Sequence, residues 1–322
     1  MRQYLIRRIL ISILILFGVS LIIYALIRSM PGDYVDIAFA GNRDVTPAMK
    51  HQFRVMYGLD KGIIEGYIDW VAKLFQGDFG TSWMYAKPVT KVFSERIWIS
   101  FSLNIISFVL QVLIAIPLGI ASATRQYSKF DYTVTTLAMI GISMPSFFFA
   151  VLLQRIFAIG LGIVPLQGMI TARENYTGFR HILDLAHHFI LPIAVFTILS
   201  IGSLMRYTRT NMLEVLNADY IRTARAKGLS EKKVIYKHAF RNTLIPVVTM
   251  IGGSIPGMFS GAMITEQLFA IEGVGKVAIT AINFGDIPYL MFYYMFLSLM
   301  TLIGILIADL LYAAVDPRVR LA

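Results

Sequence analysis

Long stretches without Asp, Glu, Lys or Arg dominate the hydrophobic pattern, at residues 9–27, 98–123, 132–154, 189–205, 242–265 and 287–308. At about 1.5 Å per helical residue these runs approach or exceed the roughly 30 Å hydrocarbon layer of a bilayer. The pattern therefore predicts an all-α, polytopic membrane protein with six transmembrane helices. The third run is irregular: apolar sequence resumes after Arg155 and continues through Ile170, broken by Gly160, Gly162 and Pro165. Those residues disfavour a separate helix, so the alternative there is a fused or re-entrant element.

The polar stretches between runs divide the chain into an N-terminus with the first span (1–27), a connecting segment (28–97) and a core (98–322) that includes a basic loop at 206–241. In the connecting segment Ile63, Ile64, Tyr67, Ile68, Val71, Leu74 and Phe75 recur at helical spacing, with Glu65, Asp69 and Lys73 turned away. This predicts one amphipathic helix, whose apolar face packs on neighbours in the chain or docks an external protein. Gly77-Asp78-Phe79-Gly80-Thr81-Ser82 reads as a turn.

Composition supports the membrane assignment: the 322 residues are 57% hydrophobic and 15% charged. The net charge of +10 is distributed as a topology signal. Arg2, Arg7 and Arg8 precede the first span, Arg125 and Lys129 follow the second, nine basic residues lie between Arg206 and Arg241, and Arg318 and Arg320 close the chain. Basic residues mark the cytoplasmic side, which predicts both termini and the 206–241 loop there. The 28–96 segment, with nine basic and eight acidic residues, is assigned outside. No clustered basic surface suggests nucleic acid as a partner. The first run is too long for a signal core and lacks a small-x-small cleavage pattern, so it stays as an anchor. With no cysteine in the chain, disulfides and thiolate-held metals are excluded. The His187-His188 pair lacks carboxylates at ligand spacing and reads as interfacial rather than metal-binding.

The basic loop holds Asn217-Ala218-Asp219-Tyr220-Ile221-Arg222-Thr223-Ala224-Arg225-Ala226-Lys227-Gly228. Asn217 or Asp219 is expected to cap a short helix, Gly228 to end it in the left-handed conformation, and Ser230 to cap a second helix. Thr223, Ala224 and Ala226 are expected to present a small-residue surface framed by Arg222, Arg225 and Lys227. Such a helix either admits a close protein partner or lies on anionic lipid.

Asp219 to Gly228, followed by Arg241-Asn242-Thr243-Leu244-Ile245-Pro246, resembles the cytoplasmic coupling loop of ABC-transporter permeases of the dipeptide and oligopeptide (peptide/nickel) importer family. Arg7-Arg8-Ile9-Leu10, Pro31-Gly32-Asp33, Gly58-Leu59-Asp60, Gly77-Asp78-Phe79-Gly80-Thr81-Ser82 and Asp316-Pro317-Arg318-Val319-Arg320 resemble the first of the two permeases in such importers. Their shared order makes the likeness specific. The chain departs from the general permease pattern by having Arg222-Thr223-Ala224 and eighteen residues from Gly228 to Pro246, as the peptide and nickel branch does. Gly62 and Glu272 stand where many relatives have proline.

The resemblance implies a non-enzymatic subunit forming half of a translocation pathway for di- or oligopeptides. It implies a homologous second permease, two cytoplasmic ATPases that receive the short helix, and an extracytoplasmic peptide-binding protein. The chain itself is expected to bind no cofactor; ATP and Mg belong to the ATPases. Gly273-Val274-Gly275-Lys276-Val277 only approximates a phosphate-cradling loop, lacking the first glycine and the hydroxyl. Nickel or another small solute is the alternative cargo. An ion-coupled secondary transporter is the alternative class, but it calls for repeats and mid-membrane carboxylates that the sequence does not offer. A structural assembly factor is a third reading.

Within the fifth run Gly253, Gly257 and Gly261 recur every four residues, which predicts close helix packing on one face, or a pathway wall together with Ser254 and Ser260. Among ionisable residues, Glu266 is the candidate acceptor for a peptide amino terminus, whereas Arg155 and Asp309 are expected to snorkel or pair locally. Asn104 and Gln111, on one face of the second span, are candidates for interhelical hydrogen bonds.

Overall fold

The computed structural model describes residues 2–42 and 44–315. The Asp316-Pro317-Arg318-Val319-Arg320 motif lies outside them. In chain order the helices are α1 (Arg2–Arg28), α2 (Tyr34–Ala38), α3 (Pro47–Met56), α4 (Ile63–Phe75), α5 (Val89–Thr124), α6 (Lys129–Ser143), α7 (Ser146–Leu153), α8 (Phe179–Leu216), α9 (Asp219–Ala226), α10 (Glu231–Lys233), α11 (Arg241–Ser254), α12 (Met263–Leu268), α13 (Val274–Phe284) and α14 (Ile287–Val315). A two-stranded hairpin, β1 (Thr81–Ser82) with β2 (Lys87–Pro88), extends the turn read from the sequence and pairs Ser82 with Lys87.

Four helices (α1, α5, α8 and α14) are long and apolar enough to cross a membrane, and a bent pair can make a fifth. Among the described residues the six expected spans thus reduce to four continuous ones and one bent pair. The third run breaks at Met144-Pro145, where α6 and the α7 segment meet at 108°. Met144 is extended, as the residue before proline prefers, and Pro145 starts the new helix. A π-helical turn, Gln154–Gly160, continues α7 through Arg155, so the apolar sequence is fused to this element as far as Gly160 and is irregular from 161 to 170. The fifth run is also broken. Its helix α11 ends at Ser254, Pro256 opens a 3-10 turn (Pro256–Phe259), and Gly261 turns left-handed at φ +69 before α12.

Helix-to-helix approach is set by glycines other than the four-residue series. A Cβ on Gly119 would lie 2.8 Å from the Met205 carbonyl, and one on Gly202 would lie 2.5 Å from the Ala138 carbonyl, so α8 is seated against both α5 and α6. Gly304 on α14 accommodates Pro256, whose ring a Cβ there would overlap. Gly253 and Gly257 meet nothing within 4 Å, and Gly261 abuts Gly275 from outside a helix. The three therefore do not form the packing face expected, because the chain leaves the helix before the third.

Polar anchors join the spans. Asn104 Nδ2 donates to the Met258 carbonyl at 3.1 Å and Gln111 Nε2 to the Ser200 carbonyl at 3.0 Å, as interhelical links. Asp309 on α14 pairs with Arg8 and accepts from the Tyr4 hydroxyl at 2.7 Å, closing α1 onto α14. His187 and His188 each contact a backbone carbonyl, of Ile163 and Asp184 respectively.

Candidate functional site

The elbow begins at the end of α8. The 38 residues of that helix span about 57 Å, nearly twice the hydrocarbon thickness. After Asn217 the chain reverses into α9, with Ala218 in the cap position and Asp219 as first helical residue. Neither Asn217 nor Asp219 caps the helix: Asn217 Nδ2 donates back to the Leu213 carbonyl at 2.9 Å. Asp219 instead holds Arg222 at 3.1 Å, a favourable charge at a helix start. Gly228 ends α9 with φ +74, the left-handed termination expected. Ser230 precedes α10, but the helical path then runs through a π-helical segment (Val234–Phe240) directly into α11.

The inner face of α9 is Ile221 and Ala224, both buried. They pack with Ile120 and Ala123 from the end of α5, Met212 of α8, and Val234 and Ala239 beyond the turn. Burying Ile221 alone contributes about 1.5–3 kcal/mol. Ala224 thus faces its own chain, which corrects the expectation that it forms part of an outward surface. A two-turn helix has only one inner face, and Ile221 at i−3 draws Ala224 onto it. Asp219, Tyr220, Arg222, Thr223, Arg225, Ala226, Lys227 and Gly228 are exposed. Arg225 Nε reaches Glu231 at 2.8 Å, bracing the turn between α9 and α10. Partial burial pushes the Tyr220 phenol above its ordinary value, so it stays a neutral hydroxyl.

A second group behind the elbow had no signature in the sequence. Arg209 on α8 grips Asp131 in the first turn of α6, and Ser122 of α5 donates to the same carboxylate. The Tyr127 amide adds a bond at 3.0 Å. Three spans therefore meet at one buried carboxylate, a juxtaposition that sequence spacing cannot reveal because the partners are 78 and 9 residues away.

The candidate pathway residues separate. Ser254 and Gly257 line a hollow of about 130 Å3 in which Asn104, Gln111 and Ser200 alternate with Phe108, Phe196 and Met258. Ser260, Gly261 and Glu266 do not line it. Glu266 is fully buried. One oxygen accepts from Ser100 Oγ at 2.7 Å and the Ala262 amide at 3.0 Å, and the other from the Lys276 amide at 2.9 Å. The expectation that Glu266 presents itself to a peptide amine is not met: its acceptors are taken by the Ser100 hydroxyl of α5, the Ala262 amide ahead of α12 and the Lys276 amide in the first turn of α13, where the helix dipole also favours an anion. This also accounts for Gly273-Val274-Gly275-Lys276. A Cβ on Gly273 would sit 2.4 Å from the Glu266 carboxylate, so its glycine admits an internal carboxylate.

Comparison with known proteins agrees along the chain. Residues 115–321 match the family described as binding-protein-dependent transport system inner membrane component, and residues 1–104 match the corresponding N-terminal family. The oligopeptide transport system permease protein AppB of Bacillus subtilis is 38% identical over 321 residues, covering 99% of this chain and all of that protein. The dipeptide transport system permease protein DppB of Escherichia coli is 33% identical, and a putative peptide transport system permease protein of Brucella abortus 34%, each with 99% of both chains covered. With an elbow braced on the ends of its long helices and both family models matched in order, the chain belongs to the inner membrane components of binding-protein-dependent transport systems.

Proposed function

We propose that this chain is one permease subunit of an ATP-driven importer of di- or oligopeptides, and that the exposed face of α9 is its contact with a cytoplasmic ATPase. The observation that carries this reading is the division of α9. Ile221 and Ala224 weld it to α5 and α8, leaving Tyr220, Arg222, Thr223, Ala226 and Lys227 outward. A partner that displaces the outer face moves both long helices with it, because close-packed interiors pass displacement on as rigid bodies. ATP and Mg are then held by the two ATPases. A second permease completes the pathway, and an external binding protein delivers the peptide. The elbow and both termini lie in the cytoplasm. Full-length likeness to proteins named for oligopeptide and dipeptide transport supports peptide over nickel as cargo. Ser254 and Gly257 form part of the pathway wall through the hollow they line, whereas Glu266 serves as a joint at the end of the fifth span.

The test is co-purification with ATPase subunits encoded beside the chain, followed by uptake in sealed vesicles. Ala226→Asp, on the exposed face, is expected to leave the permease folded but free of ATPase. Ala224→Asp is expected to lose the folded elbow itself, since it buries an unpaired charge. Wild-type ATPase yield with Ala226→Asp, or ATP-independent uptake by the purified chain, overturns the proposal.

A further inference from the structure

Helix α4 is an amphipathic helix whose uncovered apolar stripe has no role in the elbow or the hollow. At about 100° per residue its side chains fall into three sectors. Gly66, Tyr67 and Trp70 face the protein, with Gly66 and Tyr67 buried. Glu65, Asp69 and Lys73 form a polar strip, with Lys61 contacting Asp69 and lying 3.9 Å from Glu65. Ile64, Ile68 and Phe75 form the third sector and are 72%, 60% and 87% exposed.

The depth of this stripe is fixed by contacts to a transmembrane helix. The Tyr67 hydroxyl meets Ser20 Oγ at 2.7 Å, and its ring lies 6.0 Å from Phe17 and 5.7 Å from Tyr24. Ser20 is about 12 Å along α1 from Arg28 at its end, at 1.5 Å per residue. Met291, one turn into α14, packs on the same cluster. Arg28 marks the boundary by donating to the carbonyls of Leu59 and Lys61 just ahead of α4, and Lys61, Asp69 and Lys73 line an open groove with it.

We infer that α4 is a membrane-boundary helix, with Ile64, Ile68 and Phe75 immersed in lipid acyl chains and Glu65, Asp69 and Lys73 in the headgroup and water layer. Helices with this division lie in the interface with the apolar face about 5–10 Å deep. The stripe continues the apolar surface of α1, where Phe17 and Leu21 are also exposed, so one lipid-facing surface runs from the span onto α4. The occupant is the bilayer itself, whatever solute is carried.

The absence of cysteine makes the test direct. Ile68→Cys, Phe75→Cys and Glu65→Cys, each spin-labelled in the assembled complex in bilayer discs, are compared for relaxation by oxygen and by a water-soluble nickel chelate. Labels at 68 and 75 are expected to favour oxygen several-fold over the chelate, and the label at 65 to show the reverse. Chelate access at 68 and 75 means a water-exposed stripe, and exclusion of both relaxants means a protein partner covers it; either result overturns the inference.

Discussion

Arg209 donates from Nε and Nη2 to the two oxygens of Asp131, each at 2.7 Å, and that carboxylate is 2% exposed. The pair ties α8 to the first turn of α6, one element from the elbow. Losing these charge-assisted bonds costs about 1.5–3 kcal/mol, since Ser122 and the Tyr127 amide still hold the carboxylate but its charge loses its partner. Arg209→Met is expected to lower thermal stability accordingly, and Arg209→Met combined with Asp131→Leu to recover much of the loss. A double variant as unstable as the single one, in thermal unfolding in detergent, argues against the pair as the link.

Glu266→Gln places an amide NH2 against backbone amides that require an acceptor. The expected cost is about 1–3 kcal/mol of stability, since a buried donor loses its partner. Uptake of peptides differing in net charge is expected to fall in equal proportion, which transport assays with a charge series can measure. A selective loss for peptides with a free amino terminus restores Glu266 to the pathway.

The seating of α8 can be separated from the four-residue glycine series. Gly202→Val is expected to destabilise by about 1–3 kcal/mol, because the new side chain enters the Ala138 carbonyl and Ile142 with no room to yield. Gly253→Ala is expected to be neutral or to stabilise by about 0.5–1 kcal/mol, since it meets nothing within 4 Å and removes backbone freedom from α11. Equal behaviour of the two variants in thermal unfolding contradicts this assignment.

Acid is expected to loosen the connection between α2 and α3. Burial works to raise the Asp33 carboxyl, but hydrogen bonds from Arg54 and from the Asp36 amide outweigh it and hold the group below its ordinary value. A depressed folded-state value means the pair's stabilisation is present above the ordinary carboxylate value of 3.8 and is lost as pH falls below it. Amide-exchange protection across α2 and α3, corrected for intrinsic rates, is the measurement. Arg54→Met is expected to weaken the pH dependence, leaving only the part due to the backbone amides.

The amino-acid pattern by itself determined the membrane class, the positions of four long spans, the amphipathic α4 and the short helix ended by Gly228. These follow from local rules: uninterrupted apolar length, helical periodicity and a residue suited to positive φ. The interhelical roles of Asn104 and Gln111 were legible too, because an amide in an apolar run needs a partner. Tertiary structure decided the rest. Whether Ala224 faces outward depends on Ile120 and Met212, supplied by α5 and α8. Whether Glu266 is available depends on Ser100 of α5 and the amides of Ala262 and Lys276, and whether a glycine is a contact depends on what lies across from it. Arg209 and Asp131 carry no distinguishing spacing. Burial and pairing are properties of what surrounds a side chain, and only the folded chain brings those surroundings together.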